Sequence, residues 1–500
     1  MKMEKKYRVS ALLLACLMLC GVITGCGAAD NSGPSVTAAA GETTAAETTT
    51  EPDPLAGIDL AGETIRIYTS VNDNDATNAN FLIEGSGEEN GDVANDAVYA
   101  RNAHVEDMLN VKLEFIQSDL DYGAVISSVS KIILSGDDVY DLMINDLFNF
   151  AQMSLQGMFA NVKNSDVFDF EQNYWWNDYM KDLTIGNDSM FILAGDYFMD
   201  VLCSAHALYF NKDIMTSVNG NSDDIYNLVL DGKWTTDAFL SYISGAYQDL
   251  NGDSVKNEGD LFGYTSVGMW GSAIPFMLCG DIEFVSRDAD GIPSLAMNND
   301  RSVKTLEMLN KVFYNDASYI KFADLNAIIP NFTSGLSLFI GYQRISSFEK
   351  FRDTDFDVGI VPYPKLDEAQ TNYVTATHDT TEIGVIPITT SRFDATCTTI
   401  EALCRSTRDL VLPAYYETSL KVKYARDDVS SQMLDIIHDN LRVAFPVAYN
   451  TYCSGLFLTN SFGTPLSKNS TDFASAYAKF EAKGQAALDD MVEVFLENNA

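Results

Sequence analysis

Residues 249–260, Asp-Leu-Asn-Gly-Asp-Ser-Val-Lys-Asn-Glu-Gly-Asp, place oxygen-bearing side chains at positions 1, 3, 5, 9 and 12 of a twelve-residue loop. Calcium takes about six to eight oxygen ligands, and loops of the EF-hand type supply them with this spacing. The ligands would be Asp249, Asn251, Asp253, Asn257 and Asp260, with the backbone carbonyl of Val255 at position 7. Three features depart from that pattern. Ser254 replaces the turn glycine, Lys256 replaces an apolar residue, and Asp260 is shorter than the usual glutamate. The plainer reading is an acidic surface turn. A bound calcium here would stiffen structure and perform no chemistry.

A second chemistry is recognition of a polyhydroxylated solute, which offers C–H faces to flat aromatic rings and hydroxyls to carboxylates and amides. Tyr174-Trp175-Trp176-Asn177-Asp178 supplies that mixture within five residues, with Trp175 and Trp176 as the candidate platforms. Asn145 and Asp146 follow a predicted strand and would stand at its carboxyl end. For each of these, core packing or a solvated face is the alternative. The chain has four tryptophans and four histidines, which leaves little material for imidazole-based metal or acid–base chemistry. No G-x-S-x-G, H-E-x-x-H, P-loop or G-x-G-x-x-G is present. A pair of carboxylates for glycoside hydrolysis remains open, because 71 acidic residues make some pair inevitable.

The elements that would position these residues begin after a removable start. Lys2, Lys5, Lys6 and Arg8 precede an apolar run from Ala11 to Ile23 that ends at Thr24-Gly25-Cys26. A basic start, a short apolar run and a small-residue exit predict a signal peptide over 1–25. The run is shorter than the roughly 20 residues a membrane span needs. Its exit resembles the lipobox of bacterial lipoproteins, which implies cleavage before Cys26 and a lipid on its sulfur. Residues 26–57 are mostly Thr, Ala, Glu and Pro, and are expected to act as a flexible tether. The globular part is thus expected on the extracellular face of the membrane, anchored but not spanning.

The formal charge is −39, from 71 acidic and 32 basic residues, and losing the basic start makes it more negative still. Such a balance disfavours nucleic acid and charge-driven adhesion to anionic lipid. The five cysteines after Cys26, at 203, 279, 397, 404 and 453, are scattered and odd in number, unlike a disulfide framework. Cys397 and Cys404 fall on one face of a helical pattern and read as small apolar fillers.

Strand and helix patterns alternate through the body. Thr64–Tyr68, Val111–Phe115 and Tyr140–Ile144 read as strands. A helix capped by Asn95 or Asp96 reads through Leu109, and another over 124–134. Shorter strands are expected at 208–210, 337–340, 357–361 and 382–386. The alternation predicts a mainly parallel sheet with helices on both faces. No repeat and no linker divides the body.

Several segments together resemble the extracellular solute-binding lipoproteins of bacterial ABC importers, of the carbohydrate type. They are Gly91–Tyr99 with Arg101-Asn102 and Asn110-Val111, Tyr140-Asp141-Leu142, Leu208–Asp213, Trp234–Phe239, Phe332–Gly335, Gly359–Pro364 and Lys421–Asp427. The resemblance spans almost all of 62–445. It implies an α/β, two-lobed periplasmic-binding-protein-like (type II) fold with a hinge crossed by several segments. The first lobe would hold 58–197 plus 380–421, and the second 200–376 plus 425–500. It also implies an interlobe ligand, with Trp270 on a loop facing the cleft, Tyr342 and Arg344 just past a strand, and His206 close to the hinge. Some oligosaccharide-binding members carry a structural calcium loop similar to 249–260. The implied function is a receptor, not an enzyme, that binds a solute, an oligosaccharide above all, and delivers it to ABC permease subunits. A surface glycan-binding lipoprotein without a transporter and a carboxylate-based glycan-processing enzyme are the alternatives.

Overall fold

The computed structural model describes residues 55–71, 82–421 and 428–499. The signal segment 1–25, Cys26, most of the tether and the Val422–Asp427 part of one resemblance motif lie outside the described residues. Leu55, inside the stretch expected to be tether, is buried in the core.

The first lobe is built on β1 (Glu63–Val71), α1 (Val93–Leu109), β2 (Val111–Asp121), α2 (Tyr122–Ser135), β3 (Leu142–Asp146) and α3 (Leu147–Ser154). In α1, Val98, Arg101, Val105 and Leu109 are buried at intervals of three and four, so one helical stripe faces the sheet. The helix starts earlier than Asn95. Asp92 is the cap, accepting the Asn95 N–H at 2.9 Å, while the Asn95 side chain bonds Ser86 and Glu88. Strand β3 runs later than the predicted Tyr140–Ile144. The residue before it, Asp141, instead meets Arg66 of β1 through its carboxylate and its backbone.

The chain then passes through α4 (Asp200–Cys203) into β4 (His206–Asn211). The second lobe continues with α5 (Thr236–Ser244), β5 (Phe262–Val267), α6 (Met269–Leu278), β6 (Val285–Arg287), β7 (Pro293–Leu295), β8 (Ser318–Phe322), β9 (Ser337–Arg344) and β10 (Val358–Val361). The return leads to β11 (Glu382–Val385) and α7 (Phe393–Ser406), followed by α8 (Asp428–Asp439), α9 (Phe445–Tyr449) and α10 (Phe473–Asn498). Strands β5 to β8 were not legible in the sequence.

Two main sheets result, ordered β11-β3-β1-β2 and β10-β4-β9-β5-β8. The three strands expected in the first lobe are parallel, as their alternation with helices implies, and each sheet adds a reversed strand that makes it mixed. β1 is parallel to β2 and β3, but β11 is antiparallel to β3. β4 is antiparallel to β9 and β10, while β5 is parallel to β8 and β9. The reversed strands β4 and β11 are those that carry the chain between lobes, so they arrive from the opposite direction.

The two crossings pair with each other. Ala205 and Thr377 form an antiparallel bridge. The His206 N–H donates to Ala376 at 2.9 Å, and the His378 N–H donates to Ser204 at 3.3 Å. Further along, α8 packs on β10. The segment from α9 onward also touches the first lobe: α9 packs on α3, and the Asn498 and Asn499 amides bond the carbonyls of Leu155 and Ser154. Among the described residues no helix is long and apolar enough to cross a membrane.

Candidate functional site

A cavity of about 300 Å³ opens where the crossings meet, walled by both lobes. Phe148 of α3 reaches it from the first lobe, and Gly271 and Ile274 of α6 and Tyr342 of β9 from the second. The crossing segments supply His206, Thr377, His378 and Asp379. Residues at and after α9, including Asn450, Thr451 and Thr459, close the remaining side with their polar side chains.

Tyr342 is the shaped element of this wall. Its backbone lies in the left-handed region at φ 57°, a conformation that costs a bulky residue on the order of 1–3 kcal/mol. The β4–β9 pairing is irregular at this end of the strands. The Tyr342 N–H donates to the Tyr363 hydroxyl at 3.1 Å. Its ring stacks on His206 with centroids 5.8 Å apart and planes 27° apart. Gly271 makes room: a Cβ there would lie 3.0 Å from Tyr342 Cζ.

The Tyr342 hydroxyl is 3.1 Å from His378 Nε2, and His378 Nδ1 is 2.8 Å from Asp379 Oδ1 and 2.9 Å from Thr380 Oγ1. The Thr380 N–H also donates to Nδ1 at 3.2 Å, and the His378 tautomer sets which of Nε2 and the phenol donates. Burial raises the Asp379 pKa, but the His378 hydrogen bond and the nearby His378 and Arg344 charges hold it below the usual carboxylate value. His206 is fully enclosed. Burial first, then the His378 and Arg344 charges, push its pKa well down, so it is neutral. The wall therefore offers one anionic carboxylate, two imidazoles, a phenol, an amide and threonine hydroxyls between apolar patches. Such a set can hydrogen-bond several hydroxyls and cover C–H faces.

The fold brings two of the sequence-expected residues, His206 and Tyr342, to this cavity. Arg344 lies two residues further along β9. It pairs in register with His206 and acts through its charge, while its carbonyl accepts from Tyr209 at 2.9 Å. Trp270 sits in α6 beside Gly271, and its side chain lies outside the described residues. Asn145 and Asp146 are buried at the end of β3, and Asp146 caps α3 by accepting the Asn149 N–H at 2.8 Å. Phe148, two residues on, is what reaches the cavity.

The platform expectation does not hold for Trp175 and Trp176, which are 4% and 5% exposed. Trp175 meets Phe168 and Phe170 edge to face, and its indole N–H donates to Glu401 at 2.9 Å. The Trp176 indole nitrogen lies 3.3 Å from His438 Nε2, and the two rings meet edge to face with centroids 5.6 Å apart. His378 and Asp379 were missed. The available signal was a histidine a few residues before a strand, the placement that drew attention to His206, here with an acid beside it.

The Asp249–Asp260 loop folds on its own oxygens. Asp249 accepts the N–H groups of Gly252 and Ser254 at 2.7 and 2.8 Å, and Asp260 those of Leu250 and Asn257 at 3.3 and 3.1 Å. Ser254 takes the left-handed φ of 60° that a turn glycine would adopt. Among the described residues no three His, Cys, Asp or Glu side chains converge to hold a metal.

No family model matches the chain, and no curated protein does. Solved structures do. The chain is similar to an uncharacterized protein from Listeria monocytogenes EGD-e, with a TM-score of 0.55 at 11% identity over 85% of this chain and 99% of that one. It is also similar to a cyclo/maltodextrin-binding protein complexed with maltotetraose, with a TM-score of 0.50 at 11% identity over 86% and 96%. At this identity the likeness is one of fold. The chain has the two-lobed α/β fold of periplasmic sugar-binding proteins, with its hinge crossed by paired segments.

Proposed function

We propose that the chain is a lipid-anchored extracellular receptor that closes its two lobes on a neutral sugar, an oligosaccharide held by one end, and passes it to an ABC permease. The observation that carries this reading is the cavity at the hinge, walled by both lobes and lined by Tyr342, His206, His378 and Asp379. No lysine or arginine is among its described lining residues, which favours an uncharged solute over an anionic one. Its volume is at the small end of ligand sites, about 300–1,000 Å³, so in this conformation it encloses only the end of a longer glycan. Asp379 is the one carboxylate among the described lining residues. Glycoside hydrolysis needs two flanking the bond, which supports binding over processing.

A structural calcium in the Asp249–Asp260 loop belongs to the same proposal. Asp249, Asn251, Asp253, Asn257 and Asp260 keep oxygen lone pairs beyond those used by the loop's N–H groups, and the Val255 carbonyl would complete the set.

A thermal-shift screen over glycans, with maltotetraose among them, tests the receptor reading. The expected result is a raised Tm and an altered tryptophan signal with no product after long incubation. A processed glycan would overturn it, as would a panel with no binder. Genes for two permease subunits beside this one are the expected neighbourhood; their absence would leave a free-standing glycan binder.

A further inference from the structure

The second lobe's β6–β7 hairpin reaches across to the first lobe. Its turn, 288–292, is shaped by Asp288, whose Oδ1 accepts the N–H groups of Asp290 and Ile292 at 2.9 Å each. This turn lies against residues 182–187 of the first lobe. The Gly186 N–H donates to Gly291 and the Asn187 N–H to Asp290, both at 3.1 Å. The Asn187 side-chain amide donates to the Ala289 carbonyl at 2.7 Å. At the end of β6 the Arg287 guanidinium donates to the carbonyls of Asp182 and Thr184 at 2.5 and 3.3 Å, and stands 3.8 Å from the Asp182 carboxylate. It also lies over the Phe445 ring, whose backbone N–H donates to the same carboxylate at 2.7 Å. Gly291 is fitted to the approach: a Cβ there would come within 2.5 Å of Asn187 Oδ1.

Each side of this contact is fixed to its own lobe. Just after Asn187, the Met190 N–H donates to Asn161 at 3.0 Å. Leu193 and Gly384 of β11 then exchange backbone hydrogen bonds at 2.8 and 2.9 Å, which ties the segment to the first lobe's sheet. The hairpin, in turn, is flanked in the chain by α6 and the helix Asp300–Phe313, which pack on each other in the second lobe. None of these residues belongs to the paired crossings at 204–206 and 376–378. The crossings are covalent and persist when lobes move, whereas the hairpin contact is not and can part. Asn187, Ala289 and Asp290 are exposed, so water can take over their hydrogen bonds and opening here is a low-cost event.

We propose that the β6–β7 hairpin is a latch between the lobes, and that Arg287 and Asn187 set how long solute is retained without touching it. Neither residue lines the cavity, so both are positioning residues that act through the lobes. The sign follows from where the bonds are made. Contacts present in one conformation and lost in another favour the first by their own free energy. These bonds exist in the conformation whose cavity is walled by both lobes, so removing them favours the open form. The proposal rests on the receptor reading only for the use of the motion, which is that the open form gives up solute.

The test uses the full chain without solute, as parent, Arg287→Ala, Arg287→Lys and Asn187→Ala. Small-angle scattering reads lobe separation, and hydrogen exchange reads the Gly186 and Asn187 amides. Arg287→Ala should enlarge the radius of gyration and speed exchange at both amides roughly tenfold, the effect of losing one or two hydrogen bonds. The amides of Leu193 and Gly384 should keep the parent's rate. Arg287→Lys, which retains a cationic donor, should restore most of the parent behaviour. Asn187→Ala should act in the same direction as Arg287→Ala and, at an exposed position, serves if that variant does not fold. Faster exchange at the parent's radius would overturn the latch and leave a local brace. Unchanged exchange would overturn it as well. With maltotetraose, stopped-flow tryptophan emission should show faster dissociation at an unchanged association rate. A parent that does not bind this sugar bears on the receptor reading, and the scattering and exchange results still decide the latch.

Discussion

The hydroxyl of Tyr342 lies 3.1 Å from Nε2 of His378, joining the second lobe's β9 to the segment that returns to the first lobe. The bond is made by a residue held at a left-handed φ of 57°, so the fold keeps an unfavourable backbone to present this phenol. Tyr342→Phe should weaken sugar binding roughly fivefold, the value of a single hydrogen bond of about 1 kcal/mol. Tyr342→Gly should relieve about 1 kcal/mol or more of backbone strain yet lose binding by more than Tyr342→Phe does. Titration calorimetry beside thermal melting separates the two effects. A glycine variant that binds as well as the parent would remove Tyr342 from the site.

Gly271 is expected to matter for the same ring. A Cβ at 3.0 Å from Tyr342 Cζ and 3.1 Å from Cε2 forces the phenol to shift. Gly271→Ala should therefore reduce affinity while leaving Tm within about 1 kcal/mol equivalent, since alanine favours the helix. An unchanged dissociation constant would show that the ring has slack.

Trp175 should behave as a core residue. With its edge contacts to Phe168 and Phe170 and its bond to Glu401, Trp175→Ala is expected to cost about 3–5 kcal/mol of stability. The folded fraction should keep the parent's sugar affinity. A stable protein that had lost affinity would restore Trp175 as a ligand platform.

This contrast marks what the sequence could disclose. Periodicity located β1, α1, β2 and α2 because their apolar positions repeat locally. It could not tell whether the Trp175 indole faces solvent, because its partner Glu401 is 226 residues away. The cavity was half legible. His206 and Tyr342 were named from their places beside strands, while His378 and Asp379 acquire meaning only when the returning chain is laid beside β4. The antiparallel entries of β4 and β11 were hidden for the same reason, since direction in a sheet is set by where the chain comes from.

His438 ties α8 to the first lobe and should leave a mark on stability at high pH. Its Nε2 is 2.8 Å from Asp196 and its Nδ1 2.8 Å from Asp439. Burial lowers its pKa, but the hydrogen bonds to the two aspartates outweigh this and carry it to about 9. A histidine with a raised pKa contributes fully below its ordinary 6.5 and loses that contribution as pH rises through about 9. Denaturant unfolding should show a fall on the order of 2–3 kcal/mol between about pH 7 and pH 10. His438→Gln should be less stable at neutral pH and flat across that window. A parent curve as flat as the variant's would show that the pair carries no such linkage.

Calcium at the Asp249–Asp260 loop has its own test. The left-handed Ser254, φ 60°, and the N–H groups gathered by Asp249 and Asp260 already give the loop the sharp turn that a calcium loop needs. Asn257 now spends its side-chain N–H on Asp253 and Val255. Binding would turn its carbonyl oxygen inward and draw Asp253 toward the cation. A chelator should lower Tm in the parent, calcium should restore it, and Asp249→Ala should abolish the response. Ser254→Gly, which relieves the left-handed backbone, should strengthen the calcium response. Identical melting with and without chelator would leave the loop as an acidic turn held by its own hydrogen bonds.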